Sequence, residues 1–331
     1  MKNRKVGILD VSAIGMGCMG FSHGYGAVPE EAYSINAIRK AYEFGCTFFD
    51  TAEGYGTQMF YPGHNEQLLG KAVESFRKDV VLATKLHLRK EENGEGNMLY
   101  ESIRKHLDAS MLNLKTDYID LYYLHRVNPE IPNEEVAGVM GKLISEGLIK
   151  SWGMSQVSGN TLAKAHSVSP VAAVQNLYSI MERDCESDIF PYCIKNNIAV
   201  VPFSPIASGF LSGKVTLETV YEGDDVRKWV PQTSKENIAA NQPILEVLAE
   251  FSKRNNATYA QLSLAWMLHK YPNVVLIPGS KNLERILENL GGWDVQLSDE
   301  EFTAFEAALS KCTLHGHRGH VEEVPRPRVN H

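Results

Sequence analysis

Pairing is what the cysteines lack. The five, Cys18, Cys46, Cys185, Cys193 and Cys312, are odd in number and scattered, with no CxxC spacing of the kind that holds zinc or a redox disulfide. A reducing compartment is the expectation. Basic runs are missing too: Lys and Arg total 33 against 40 Asp and Glu, a net charge of −7, which argues against a nucleic-acid or anionic-membrane partner. No uncharged apolar stretch approaches the length needed to cross a bilayer. The start of the chain carries Lys2, Arg4 and Lys5, but Asp10 and then Gly15, Gly17 and Gly20 interrupt the apolar run that follows. It is a poor secretory leader, so a cytoplasmic location is expected. What is present, 44% hydrophobic, 22% charged and 9% aromatic residues in a chain of 331, is enough apolar mass for one large core.

Eight short apolar or β-branched runs recur, too continuous for half-exposed strands and bounded by Gly, Pro or Asn in the manner of buried parallel strands. They are 13–17 (AIGMG), 47–52 (TFFDTA), 80–85 (VVLATK), 118–125 (YIDLYYLH), 150–155 (KSWGMS), 171–175 (VAAVQ), 198–204 (IAVVPFS) and 274–280 (VVLIPGS). Segments of helical period separate most of them, at 30–44, 66–76, 99–112, 134–146 and 187–196. Strand and helix alternating eight times predict an α/β fold, a (β/α)8 TIM barrel in a single domain over 1–313, followed by a tail at 314–331 that is expected to be mobile. Residues 5–12 read as an N-terminal β-hairpin. The interval 205–273 is a long insertion between the seventh and eighth strands, with a Gly- and charge-rich loop near 215–234 and two helices, 238–255 and 259–270. Long insertions in such barrels commonly cover the ligand. A doubly wound open sheet is the rival, but Gly15, Gly17 and Gly20 do not have the GxGxxG spacing and no helix begins there.

Active sites of such barrels gather at the carboxyl ends of the strands. Here polar residues stand at those ends one run after another. Asp50 ends the second run, with Tyr55 just beyond; Lys85 ends the third and His125 the fourth. Ser155 and Gln156, Gln175 and Asn176, Phe203 and Ser204, and Gly279, Ser280 and Lys281 follow on the remaining four. A phenol is a poor acid at neutral pH, but a neighbouring ammonium favours the phenolate, so Lys85 is expected to lower the value for Tyr55. Asp50 would hold Lys85 charged, and His125 would orient a substrate oxygen. The set suits protonation of a carbonyl oxygen, and since nothing in it donates electrons, reduction would need a hydride from a nicotinamide. Ser280, Lys281 and Arg285, at the end of the last run and the start of the following helix, suit an anion.

These motifs together resemble the aldo-keto reductase superfamily. The run DTAEGYG at 50–56, with NEQLLGKA at 65–72, is similar to the signature that carries the catalytic Asp and Tyr. ATK at 83–85 and DLYYLH at 120–125 resemble the sites of the catalytic Lys and His, and WGMSQ at 152–156 the segment whose Ser, here Ser155, contacts the nicotinamide carboxamide. Gln156 stands beside it in place of the commoner Asn or Glu, and Gln175 matches the second carboxamide ligand. Phe203 in VPFSP matches the aromatic that stacks on the nicotinamide. Ser204, Ile206, Ser208 and Lys214 would line the phosphate channel, Lys214 at the pyrophosphate. IPGSKNLERILEN at 277–289 resembles the adenosine-phosphate motif, with Gly279, Ser280, Lys281 and Arg285 at the 2′-phosphate and Glu288 and Asn289 at the adenine. GCMG, SPIASGFLSGK and the GSK form of the last motif look most like the bacterial, fungal and plant branch that includes pyridoxal and perakine reductases.

The resemblance implies a barrel using NADPH and no metal, acting by hydride transfer on a small-molecule aldehyde or ketone. A non-catalytic NADPH-binding regulatory subunit is the alternative, and would show an exposed apolar patch for a partner. The loop 57–64, with Met59, Phe60 and Tyr61, is expected either to wall the substrate pocket or to be plain surface. His23 and Tyr25 are weaker pocket candidates, and the tail histidines His315, His317, His320 and His331 lack the spacing of a metal site.

Overall fold

The chain is seen here in a computed structural model that describes residues 2–89, 92 and 97–319. It opens with an antiparallel hairpin, β1 (Asn3–Val6) and β2 (Leu9–Ser12), that turns at Gly7, where φ is +58°. The hairpin thus starts two residues before the expected 5–12. Seven strands then pair in parallel in strict chain order: β3 (Met16–Gly17), β4 (Phe48–Asp50), β5 (Val81–Leu86), β6 (Ile119–Leu124), β7 (Ile149–Ser155), β8 (Ala173–Gln175) and β9 (Ala199–Val200). The eighth apolar run closes the sheet without forming a continuous ladder. It makes isolated bridges, Val200↔Val274 on one side and Ile14↔Leu276 and Gly17↔Gly279 on the other. Pro278 has no N–H to give to such a ladder. Its carbonyl still accepts from Gly17 at 3.4 Å.

Side chains of a strand alternate faces, and here each face has its own core. Phe48, Val81, Ala83, Leu121, Tyr123, Ala173, Ala199, Val201, Val275 and Ile277 form the barrel interior, and Val6, Leu9 and Val11 of the hairpin join them. The alternate residues Phe49, Leu82, Tyr122, Leu124, Trp152, Met154, Val174 and Val200 pack outward against the helices. That layer holds α1 (Glu31–Glu43), α2 (His64–Val73), α3 (Asn97–Leu114), α4 (Asn133–Ser145), α5 (Gly159–Val168) and α6 (Ile189–Lys195). Besides short 3-10 turns, the insertion 205–273 carries three α-helices where two are expected: α7 (Lys235–Ala240), α8 (Gln242–Arg254) and α9 (Tyr259–Lys270). Pro243 in the first turn of α8 explains the split, because proline is tolerated at a helix start and not within one. α10 (Leu283–Leu290) and α11 (Asp299–Leu309) complete the layer.

The described part of the tail is fastened. Asn241 exchanges two hydrogen bonds with the backbone of His315, at 2.9 and 3.0 Å, and Gln232 N–H donates to His317 O at 3.3 Å. Residues from His320 onward, His331 included, lie outside the described residues.

Gly153 of β7 pairs with Tyr123 on one side and Ala173 on the other. A Cβ built there would stand 2.5 Å from the Tyr123 ring and 2.7 Å from Ala173 O, with Tyr123 fully buried inside the barrel. Gly153→Ala is expected to destabilise the protein by about 1–3 kcal/mol, read as a lowered midpoint in urea unfolding. A wild-type midpoint would show that the interior yields at no cost.

Candidate active site

The same alternation that builds the interior carries polar side chains to its upper end. Two residues beyond Phe48 is Asp50, two beyond Ala83 is Lys85, and two beyond Tyr123 is His125, so each inherits the inward direction of its strand. Ser155, two beyond Gly153, and Gln175, two beyond Ala173, follow the same rule and are register partners. Tyr55 reaches the rim from the loop between β4 and α2.

The four residues expected to act together do meet. Lys85 Nζ donates to Asp50 Oδ1 at 2.5 Å, to Thr51 O at 2.7 Å and to Tyr55 Oη at 3.2 Å. Lys85 is fully buried, which alone would lower its pKa, but Asp50 and Tyr55 outweigh burial and hold the ammonium above its ordinary value. Burial raises Asp50 while Lys85 and Gln175 pull it back. The His125 ring lies edge-on to Tyr55 with centroids 5.7 Å apart. Burial, then the nearby cations Lys85 and Arg126, push its pKa well below the ordinary value, so the imidazole is neutral. Tyr55 differs from expectation. Burial above all, with the Asp50 charge, raises its pKa against the pull of Lys85 and Arg126, so the phenol is held above its ordinary value.

The residues expected along a dinucleotide are distributed around the same rim. Ser155 Oγ donates to Gln175 O at 2.8 Å, and Gln156, at a positive φ of 55°, donates its N–H to the same carbonyl at 3.1 Å. Gln175 is spent on the tetrad, its Nε2 donating to Asp50 Oδ2 at 2.8 Å, where a carboxamide ligand is expected. Asn176 is buried and bonds both backbone groups of Val157. Phe203 is half-buried at the end of its run. Beyond it the backbone is strained, with left-handed φ at Ser204 (53°), Ala207 (45°) and Ser208 (55°) and half-buried Ile206 among them. Ser208 is 6% exposed and its Oγ has no hydrogen-bond partner among the described residues. Lys214 is exposed.

At the far end, Gly279 sits on the closing bridge to Gly17, and Ser280 Oγ turns to the backbone of Asn282. Lys281 is engaged with the loop after β3. Its Nζ donates to Tyr25 O at 2.7 Å and to Ala27 O, and burial lowers its pKa. Two N–H groups at that helix start are already taken, Arg285 by the Asn282 side chain at 3.0 Å and Leu283 by Tyr33 Oη at 3.0 Å. Arg285 is exposed on the first turn, Glu288 is half-buried and Asn289 is buried.

Other residues gain or lose standing. The His23 ring lies 5.4 Å from that of Tyr55, so this weaker candidate borders the phenol on the side of the loop after β3. Arg126 stands in no motif of its own, although it directly follows His125; its Nη1 reaches Ser155 Oγ at 3.2 Å. In the loop 57–64, Met59, Phe60 and Tyr61 are exposed, and Phe60 stacks on His64 with centroids 3.9 Å apart. Among the described residues no group of three or more His, Cys, Asp or Glu could hold a metal ion, and no helix is long and apolar enough to cross a membrane.

Comparison with known proteins places the chain in a family. The family described as the aldo/keto reductase family matches residues 13–310. "Probable aldo-keto reductase 1" of Glycine max is 36% identical over 304 residues, covering 90% of this chain and 86% of its own. An aldo-keto reductase from Klebsiella pneumoniae, solved in complex with NADPH, superposes with a TM-score of 0.70 at 26% identity, over 93% of this chain and 95% of its own. For fold alone, the glycerol dehydrogenase of Gluconobacter oxydans reaches a TM-score of 0.80 at 24% identity, over 99% and 98% of the two chains. With the family matched from the first strand of the barrel to its last helix, and one relative 36% identical over most of its length, this chain belongs to the aldo/keto reductase family.

Proposed function

We propose that the protein reduces the carbonyl of a small aldehyde or ketone to an alcohol, with NADPH as the hydride donor and Tyr55 as the acid. The observation that supports this best is the buried Lys85 ammonium, held by Asp50 and Thr51 and bonded to the Tyr55 hydroxyl at 3.2 Å. A carbonyl oxygen docked on that hydroxyl gains negative charge as its carbon is reduced, and Tyr55 neutralises it by giving up its proton. Lys85 then faces a phenolate, which a buried cation stabilises far more than it does the phenol. That difference is the catalytic gain. Tyr55, held above the ordinary tyrosine value, carries its proton at neutral pH and so has one to give. His125, neutral, can donate an N–H to the same oxygen without competing with Lys85 as a charge. Bound NADPH supplies the hydride, the one component these side chains cannot.

The rim suits such a cofactor. Ser155, Gln156 and Phe203 would hold the nicotinamide, Gln175 reaching it only from its place against Asp50. The buried, unpartnered Oγ of Ser208 beside a strained left-handed turn fits a phosphate oxygen, with Ser204, Ile206 and Lys214 along the channel. Ser280, Lys281 and Arg285 would read the 2′-phosphate, Lys281 by exchanging two loop carbonyls for it.

NADPH oxidation followed with an aromatic aldehyde tests the assignment. Tyr55→Phe is expected to lower kcat at least roughly a hundredfold while leaving NADPH binding, read by fluorescence, unchanged. Equal rates sink Tyr55 as the acid; binding without turnover by the wild type favours the regulatory alternative. For the cofactor, Lys281→Ala combined with Arg285→Ala is expected to weaken NADPH by more than about tenfold and NADH by about twofold or less. Equal loss for both cofactors would remove these cations from the 2′-phosphate.

A further inference from the structure

A loop side chain keeps its distance from a strand side chain only if the two backbones are fastened. Register pairing of β4 with β5 stops at Asp50↔Ala83, yet the hydrogen bonding runs on toward Tyr55. Thr51 N–H donates to Ala83 O at 2.9 Å and Glu53 N–H to Lys85 O at 3.2 Å. Glu53 then substitutes its side chain for the next backbone group, Oε1 accepting the His87 N–H at 2.8 Å. Glu53 O also accepts Gly63 N–H at 2.8 Å, closing the far end of the loop. A single residue thus bonds the backbone on both sides of Leu86 and the end of the Tyr55 loop.

The second oxygen of that carboxylate is braced from α3. His106 Nδ1 stands 2.7 Å from Glu53 Oε2 and His106 Nε2 2.8 Å from Glu92 Oε1, while Glu92 Oε2 accepts the Arg89 N–H at 2.7 Å. The side chains of Glu53, His106 and Glu92 are 19%, 18% and 25% exposed, so all three are largely out of water. Only an imidazole protonated on both nitrogens can donate to two carboxylates. Glu53 above all, with Glu92, raises His106 to about 9 against the effect of burial.

We propose that Glu53, braced by His106 and Glu92, is the positioning residue that locks the Tyr55 loop onto the strand bearing Lys85, and so fixes the separation across which Lys85 acts on the Tyr55 hydroxyl. The inference rests on the reading of Tyr55 as the acid given above. None of the three touches the reacting atoms; they act through Tyr55 and Lys85. Catalytic geometry is steep in distance, a misplacement of about 1 Å costing up to roughly a hundredfold. Because the folded value lies above the ordinary 6.5, the doubly protonated clamp is complete at neutral pH and is lost as pH rises through about 9. One ring nitrogen then turns a lone pair toward a carboxylate. Glu53 from the β4–α2 loop and Glu92 from the β5–α3 segment are the charged groups bonded to it and the largest charge influences on it.

Three forms, wild type, His106→Gln and Glu53→Gln, would be compared for NADPH oxidation with an aromatic aldehyde from roughly pH 6 to 10, beside NADPH affinity by fluorescence and thermal midpoint. The wild type is expected to decline in kcat as pH rises through about 9; each variant is expected to lower kcat about tenfold at neutral pH, with KM and NADPH affinity changed by about twofold or less, and to lack that decline. Unchanged kcat, or kcat, NADPH affinity and thermal midpoint falling together, overturns the positioning role. Should His106→Gln not fold, Glu53→Gln, which keeps an oxygen for the His87 N–H, decides by the same criteria. A wild type that turns over no aldehyde overturns the reading of Tyr55 and this inference with it, whereas an active wild type matched by both variants overturns this inference alone.

Discussion

A lysine ammonium with no exposure to water is the constraint around which the upper half of this barrel is arranged. Such a charge is tolerable only with an opposite charge and full hydrogen bonding, and removing one partner typically costs about 3–5 kcal/mol. Lys85 has three partners for its three N–H donors: Asp50, Thr51 O and Tyr55 Oη. Asp50 in turn spends its other oxygen on Gln175, itself on a strand further along the sheet. The ion pair therefore fixes the relative heights of β4, β5 and β8. The tyrosine is the only one of these partners with a proton to give.

Alternation explains why the chemistry is legible in the sequence. An apolar run whose inward members are Phe48, Val81, Ala83, Leu121 and Tyr123 dictates that Asp50, Lys85 and His125 point the same way, so the strand ends converge by residue spacing alone. The barrel itself is legible for the same reason, as eight buried runs separated by amphipathic segments. Competitions between neighbours are what a sequence does not weigh. Lys85 does pull the Tyr55 value down as expected, but burial pulls it up harder, and the depth of a side chain is not written in its neighbours along the chain. Gln175 and Lys281 have the residue types expected of cofactor ligands, yet Asp50 and the carbonyls of Tyr25 and Ala27 claim them first. Glu53 and His106 lie 53 positions apart and share no motif that links them.

The insertion is held to the barrel by contacts equally invisible in sequence. Asp224 receives the N–H groups of Gly24 and Gly26 at 2.6 and 3.0 Å, and Val226 N–H donates to Gly24 O at 3.0 Å. Arg227 lies over the rings of both Tyr25 and Tyr221. A segment 200 positions downstream thus pins the loop that puts His23 beside Tyr55. Loops that carry function on a rigid scaffold need such fastening, since their own backbone groups have no ladder to join.

The two ends of the barrel are consequently unlike in kind. At the amino end Val6, Leu9 and Val11 of the hairpin enter the interior cluster and close it with hydrocarbon. Arg4 staples that plug in place, donating to the carbonyls of Leu268, Tyr271 and Val274. Its desolvation, which lowers the guanidinium pKa to about 10, is a cost borne where no chemistry is needed. At the carboxyl end the same interior finishes in Asp50, Lys85, His125, Ser155 and Gln175, charged or polar groups that a closed apolar plug would leave unsolvated. One mouth of the interior is thus filled with hydrocarbon and the other lined with polar groups, and it is on the polar side that Lys85 and Tyr55 meet.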